Sequence, residues 1–485
     1  MTHDRFAGRA WGAAGLLTIA AAALAPCAVA AQAPAVPTFR SGAADRDAVA
    51  VTVYNQNFGL VREVRSVTFD RGRVQLEFAD VPSTIQTETV SVRPIGGGGF
   101  RVLEQNYLYD LLNPQKLLEK YVGRTVTVHT WNRETEREEA LTAEVLSVNA
   151  GTILRIGDEI TFNPPGRISF PEVPADLIAE PTLRWLLDSG AERQRLEASY
   201  LAGGLNWKAD YVMVVEEDDA RADLAGWVTL TNNSGATFEN AELKLVAGDV
   251  RRVGEMRDEV SLRAEAEFAR AAADGFTEQA FFEYHLYTLG RPTTLRNNEQ
   301  KQVTLLDAAG FPVRKRLQFY GAAHYYRGAT GEVVSNQKLD VLLEFDNAES
   351  NRLGMPLPAG AVRVYKDDGT GALQFIGEDR IDHTPRDERV RVRLGQAFDV
   401  RGDRRQMDHT ILGSCLAESS WRIEVRNHKD EDAEVRLIEP VGGDWDVLSS
   451  SHAFERMDAH TFRFDVTVPA RGAETVEYRV RVRWC

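Results

Sequence analysis

From Val49 onward the chain places an apolar residue at every second position: Val49, Val51 and Val53, then Val74, Leu76 and Phe78, with polar residues between. A period of two marks strands that bury one face. Asp70-Arg71-Gly72-Arg73 separates these runs and reads as a hairpin turn, with Gly72 free to take a positive φ. One helix interrupts the strands over 114–122. Asn113 can cap it, Pro114 fits its first turn, Leu117, Leu118, Tyr121 and Val122 share a face, and Gly123 ends it. Short apolar runs at 125–131, 141–148, 152–156 and 159–162 then predict a small barrel-like module. Together these elements form an N-terminal β-rich domain over 45–180.

Alternation returns after about residue 190 and predicts a central β-sandwich over 190–400. A charged stretch at 258–273 reads as a helical insertion, with Leu262, Ala266, Ala269 and Ala273 as its inner stripe. Residues 401–485 have the same strand character and predict a C-terminal immunoglobulin-like domain. Two turns echo each other, Asn232-Asn233-Ser234-Gly235 and Asn427-His428-Lys429-Asp430, each followed by an apolar alternation. The fold class expected is mainly β: tandem β-domains with immunoglobulin-like sandwiches and a few short helices.

The N-terminus changes the picture of where such a protein works. Arg5 and Arg9 precede a nearly uncharged run over 10–25, and Ala28-Val29-Ala30 supplies the small residues a signal peptidase requires. The expected cut lies between Ala30 and Ala31. A competing reading takes Cys27 as a lipid-attachment cysteine, although Pro26 stands where a small residue is expected. No later stretch is apolar enough for a spanning helix. The expected location is the periplasm or cell envelope.

Charge narrows the partners. The chain carries 57 Lys and Arg against 72 Asp and Glu, a net charge of −15, which repels phosphate backbones and disfavours nucleic acid. Cys415 and Cys485 remain after the leader; they either form a disulfide, closing a loop of about 70 residues and adding ~4 kcal/mol on the chain-entropy argument, or stay as a buried and a terminal thiol.

Gly-x-Ser-x-Gly, His-Glu-x-x-His, phosphate-cradling and Cys-x-x-Cys patterns are all absent from the sequence, and no cofactor or metal is expected. Trp207, Asp210 and Tyr211 at a strand entrance could form an aromatic shelf for sugar or peptide, or could plug the end of a sandwich. Glu283 and His285, two apart on a predicted strand, should share a face with Tyr287 and could bind a metal or move a proton, or serve structure alone.

With these residues laid out, the sequence resembles a bacterial exported family, domain-of-unknown-function family 4139, whose domain also occurs in mucoidy-inhibitor-like proteins. The resemblance rests on Tyr109-Asp110-Leu111-Leu112, Trp207, Ala209-Asp210-Tyr211, Leu245-Val246-Ala247-Gly248, Glu283-Tyr284-His285-Leu286-Tyr287 and Pro292-Thr293-Thr294-Leu295, among other blocks. It implies an exported β-rich fold and no particular activity. The functional expectation is a non-enzymatic binding or structural protein whose partner is another envelope protein or a polysaccharide. The rival is an envelope glycan- or peptide-acting enzyme in which Asp210, Glu283 and His285 converge.

Overall fold

The computed structural model describes residues 36–96, 99–133, 135–163, 166–174, 176–252 and 276–485. The expected leader, with Cys27, Ala30 and Ala31, and the expected helix at 258–273 lie outside the described residues. The fold is mainly β, as the alternation predicts. In the Leu205–Val215 strand, Leu205, Trp207, Ala209, Tyr211, Met213 and Val215 are all buried, while Lys208 is exposed. The same rule places Trp421, Ile423 and Val425 inside and Arg422 outside.

Among the described residues the strands form five sheets. Four strands, Thr38–Ser41, Gly72–Phe78, Thr182–Ser189 and Phe100–Leu108, form one layer. It shares a core with an eight-stranded sheet ordered Phe276–Phe281, Tyr284–Leu289, Phe238–Ala247, Arg46–Tyr54, Phe58–Thr68, Arg193–Gly203 and Ile85–Ile95, with Thr293–Leu295 beside Phe238–Ala247. A five-stranded sheet, Glu299–Pro312, Arg221–Asn232, Leu205–Val215, Gly360–Asp367 and Leu373–Ile381, joins that core. A nine-stranded sheet carries the C-terminal half around its own core.

Strand pairing crosses the domain limits expected from sequence. Phe58–Thr68 pairs with Arg193–Gly203, Gly72–Phe78 with Thr182–Ser189, and Arg46–Tyr54 with Phe238–Ala247, so the N-terminal strands and the central sandwich are one unit. Asp70-Arg71-Gly72-Arg73 does not close a hairpin. The strands on either side belong to different sheets, and the turn, with Gly72 at φ 92°, carries the chain from one layer to the next. At the other limit, Arg389–Gly413 is one uninterrupted strand. Val390 and Val392 pack in the first core and Val400 in the second, while Arg314–Tyr320 and Glu332–Asp346 already belong to the C-terminal sheet. Alternation along a strand carries no mark of which core it serves, which is why the limits were illegible.

The expected module at 125–162 is an open sheet ordered Glu159–Phe162, Ile153–Ile156, Arg137–Ser147, Thr125–Asn132 and Arg167–Ser169. Among the described residues no pairing closes it into a barrel. The helix beside it, Pro114–Lys120, is capped by Asn113, whose Oδ1 accepts from the Lys116 amide at 2.9 Å.

The two halves repeat one connectivity. In the first, neighbouring strands run Tyr284–Leu289, Phe238–Ala247, Arg46–Tyr54, Phe58–Thr68, Arg193–Gly203, and only the Phe238–Ala247 to Arg46–Tyr54 step is parallel. In the second they run Thr461–Val468, Ala433–Pro440, Arg314–Tyr320, Glu332–Asp346, Arg389–Gly413, and only the Ala433–Pro440 to Arg314–Tyr320 step is parallel. The second layers match as well: Leu205–Val215, Arg221–Asn232 and Glu299–Pro312 against the end of Arg389–Gly413, Leu416–Asn427 and Ala473–Arg483. Both copies carry a buried asparagine at one place. Asn232 donates to Ala236 O at 2.9 Å and accepts from Ser234 N at 3.1 Å. Asn427 donates to Glu431 O at 2.8 Å and accepts from Lys429 N at 3.0 Å. The echo read in the turns is therefore a repeated structural device. The second copy also lends a strand to the first, since Gly360–Asp367 pairs in parallel with Leu205–Val215.

Cys415 and Cys485 are joined by a disulfide, with Cα atoms 5.6 Å apart. It ties the turn after Arg389–Gly413 to the C-terminal strand, next to the bond from Trp484 N to Cys415 O at 3.1 Å.

Candidate functional site

The residues singled out from sequence do not assemble into one pocket. Trp207 and Tyr211 point into the core, with Trp207 donating from its indole to Val246 O at 3.1 Å and Tyr211 donating to Pro358 O at 2.8 Å. Tyr287 joins them, 6.2 Å from Trp207 between ring centroids, and donates to Pro356 O at 2.9 Å. The aromatic shelf is thus the plug of a sandwich. A ring of that size gains most by removing its face from water while its polar tip keeps a carbonyl partner.

Asp210 emerges on the opposite face of the same strand, because successive side chains alternate. It accepts from Thr229 Oγ1 at 2.9 Å and pairs with Lys208 at 3.2 Å and Arg363 at 3.3 Å. Burial alone would raise its pKa, but Thr229, Lys208 and Arg363 outweigh that and hold the carboxyl below the usual range. A carboxylate fixed as an anion by two cations is a poor proton acceptor. Glu283 lies on the turn between Phe276–Phe281 and Tyr284–Leu289, outside the strand on which alternation placed it. His285 is on the second of those strands and pairs with Glu278 at 2.8 Å.

A different place in the fold concentrates polar groups around open space. Where Arg46–Tyr54 and Phe238–Ala247 run side by side, their parallel ladder starts only at Ala50 and Glu242. Upstream the two chains part, with Asn240 at φ 48°, and leave a cavity of about 580 Å³. Its walls include Arg46, Asp47, Asp80, Glu180, Thr237 and Glu239. The volume falls within the range of small-ligand sites, ~300–1,000 Å³.

A buried charge cluster lies behind this wall. Glu63 and Arg65 are fully buried, and Glu63 receives Arg46 at 2.7 Å, Arg65 at 2.9 Å and the hydroxyl of Tyr200. Two guanidiniums therefore share one carboxylate. Arg65 lies 3.5 Å from the Phe78 ring centre and donates to Ser41 O at 2.9 Å. The Arg46 side chain is only 7% exposed; its Nε is held by Glu63 and its Nη1 lies 3.4 Å from Thr237 O. Its Nη2 has no hydrogen-bond partner among the described residues. A buried donor without an acceptor costs about 1–3 kcal/mol.

Two carboxyls that interact with each other, Asp80 and Glu180, line the same cavity. Burial would raise Asp80, but the Ala43 amide, the Glu180 carboxyl and the guanidiniums of Arg65 and Arg40 outweigh it and lower the pKa. Glu180 moves the other way, raised first by its hydrogen bond to Asp80 and by that group's charge. The two carboxyls are thus pushed apart, Asp80 downward and Glu180 upward. Arg40 pairs with Glu180 at 3.0 Å.

Arg46, Asp80 and Glu180 escaped sequence reading because they come from three separate loops and strand ends with no spacing that joins them. A faint signal was Glu63-Val64-Arg65: two opposite charges on the inward face of a strand otherwise lined with valine.

Comparison with known protein families finds none that matches this chain, and comparison with curated proteins finds no match either.

Proposed function

We propose that this chain is an exported, non-enzymatic β-sandwich protein of the cell envelope that binds another surface component in the cleft at Arg46. The observation that carries this reading is a cavity of about 580 Å³ whose walls bring together Arg46, Asp47, Asp80, Glu180 and Glu239 from separate segments of the chain. The leader pattern at residues 1–30 and the resemblance to domain-of-unknown-function family 4139 support the envelope as the place of action. The negative charge of the chain argues against nucleic acid as partner.

The test is capture from envelope extracts with the wild-type protein beside Ala48→Trp, which fills the cavity from an exposed wall position. A component retained by the first and not by the second supports the reading. Equal retention by both, or none by either, removes it.

A further inference from the structure

We infer that the end of the long strand Arg389–Gly413 is a self-association edge, to which a second copy of this chain adds antiparallel across a two-fold axis. This edge shares no residue with the cleft at Arg46.

The strand has two neighbours along most of its length and one at its end. On one side it pairs with Leu416–Asn427 as far as Gly413. On the other, its pairing with Glu332–Asp346 stops at Arg405, followed only by the bond from Gln406 N to Gly331 O at 2.8 Å. Among the described residues no strand pairs with 407–413 on that side. A run of about 24 Å, at ~3.4 Å per residue, therefore turns main-chain amides and carbonyls outward. Apolar side chains lie along it, with Met407, Ile411 and Leu412 exposed at 48%, 72% and 49%. Ile411 stands opposite Ala417, Ala417 opposite Val482, and Val482 opposite Trp445. The last three are buried, so Ile411 ends an apolar row that an added strand would continue. The disulfide from Cys415 to Cys485 and the bond from Trp484 N to Cys415 O pin the hairpin end to the C-terminal strand, which reduces the ordering that pairing must impose.

Open edges are normally blunted by charge or proline. The outer strands of this same sheet are blunted in that way, with Asp444 and Asp446 on one and Glu455, Arg456 and Asp458 on the other. The run Met407-Asp408-His409-Thr410-Ile411-Leu412-Gly413 holds neither lysine nor proline, and its one carboxylate pairs with Arg479 at 3.1 Å. Glu418 in turn pairs with Arg479 and Arg481, so two acids and two arginines leave this surface without net local charge.

A second copy fits the shape as well as the edge. The step left where Glu332–Asp346 begins is bordered by the same residues that would fill it. Under a two-fold axis each copy's 407–413 occupies the step of the other, and the end of each hairpin meets the start of the other's Glu332–Asp346 strand. Main-chain hydrogen bonds supply the affinity, and a copy meets no unpaired like charge there. Register shifts between Gln406 and Asp408 and between Ile411 and Gly413 bound the run and keep the pairing short. Such a contact buries on the order of 400 Å² per copy, about half of a standard interface, so the dimer is weak.

Sedimentation equilibrium of the purified full chain up to ~1 mM tests this, with hydrogen exchange reading the amides of 407–413. A monomer–dimer equilibrium is expected in which those amides gain protection as the dimer fills. Raising salt from about 0.05 to about 0.5 M should strengthen it, because two chains of net charge −15 repel each other at long range. Ile411→Lys, at an exposed position, should weaken association about tenfold or more without moving the melting midpoint. Thr410→Lys, also exposed, repeats the test should Ile411→Lys melt early. Phe162→Lys, on the separate Glu159–Phe162 edge strand, and Ala48→Trp, in the cleft, should leave association as in wild type. A monomer at every concentration overturns the inference. So does a dimer that both lysine variants of the run leave intact, one that Phe162→Lys abolishes, or one that salt dissolves. Capture of an envelope polypeptide through 407–413 by a chain that stays monomeric overturns it as well.

Discussion

Glu63 holds two buried guanidiniums at once, and its environment turns a small substitution into a large one. Glu63→Gln keeps the shape but leaves Arg46 and Arg65 without a counter-charge, and breaking such a buried arrangement costs about 3–5 kcal/mol. Asp210→Asn, at a partly solvated pair, should cost about 1 kcal/mol or less. Urea denaturation of the two variants checks the ranking, and equal midpoints would refute it. Asp219 gives a prediction in pH. Burial raises its pKa, but Lys315 and Lys366 outweigh burial and hold it low. A carboxyl whose folded value lies below the unfolded value of about 3.9 stabilises fully above that value, and the contribution vanishes as pH falls through the folded one. Thermal midpoints of wild type should therefore drop more steeply below about pH 4 than those of Asp219→Asn; parallel curves would show that the pair contributes nothing.

At the scale of elements, the repeated asparagines are the clearest test of the duplication. Each satisfies main-chain groups of a buried turn, and Asn427 also lies 3.2 Å from Val468 O on a neighbouring strand. Asn232→Ala and Asn427→Ala should each cost about 2–4 kcal/mol by orphaning those groups, and by similar amounts because the geometry is shared. A neutral result at either position, read by chemical denaturation, would break the equivalence. Strands and their inward faces were legible in the sequence because period two is a local property: Val49, Val51 and Val53 announce themselves. The helix at Asn113-Pro114 was legible for the same reason, through its cap. Partner choice was not legible. Nothing in Val74 or Leu76 says that Thr182–Ser189 will lie alongside, since pairing depends on contacts over a hundred residues away. The aromatic residues at 207 and 211 misled only if exposure was assumed; alternation with Leu205 and Met213 already assigned them to the core. The cleft could not be read because its groups meet only after three distant segments fold together.

For the whole molecule, a strand shared by two cores couples the halves. Val390 and Val400 sit on one strand and in different cores, so residues 401–485 cut free at 400 would lack the Arg314–Tyr320 and Glu332–Asp346 strands of their own sheet. That fragment should show no cooperative melt, whereas a fragment beginning near 313 should. Reduction of the purified protein should add two hydrogens in mass and lower stability by up to about 4 kcal/mol; an unchanged mass would show two free thiols.

The strand lent by the second copy also sets an order of events during synthesis. The Leu205–Val215 edge leaves the ribosome well over a hundred residues before Gly360–Asp367, the segment that covers it. Until that segment arrives, the nascent chain presents a row of unpaired amides and carbonyls beside apolar side chains, a template for contact with other chains. An amino-terminal fragment stopped before residue 360 would keep that edge permanently bare, and escort by a holding factor until translation passes it would matter more for this half than for the other.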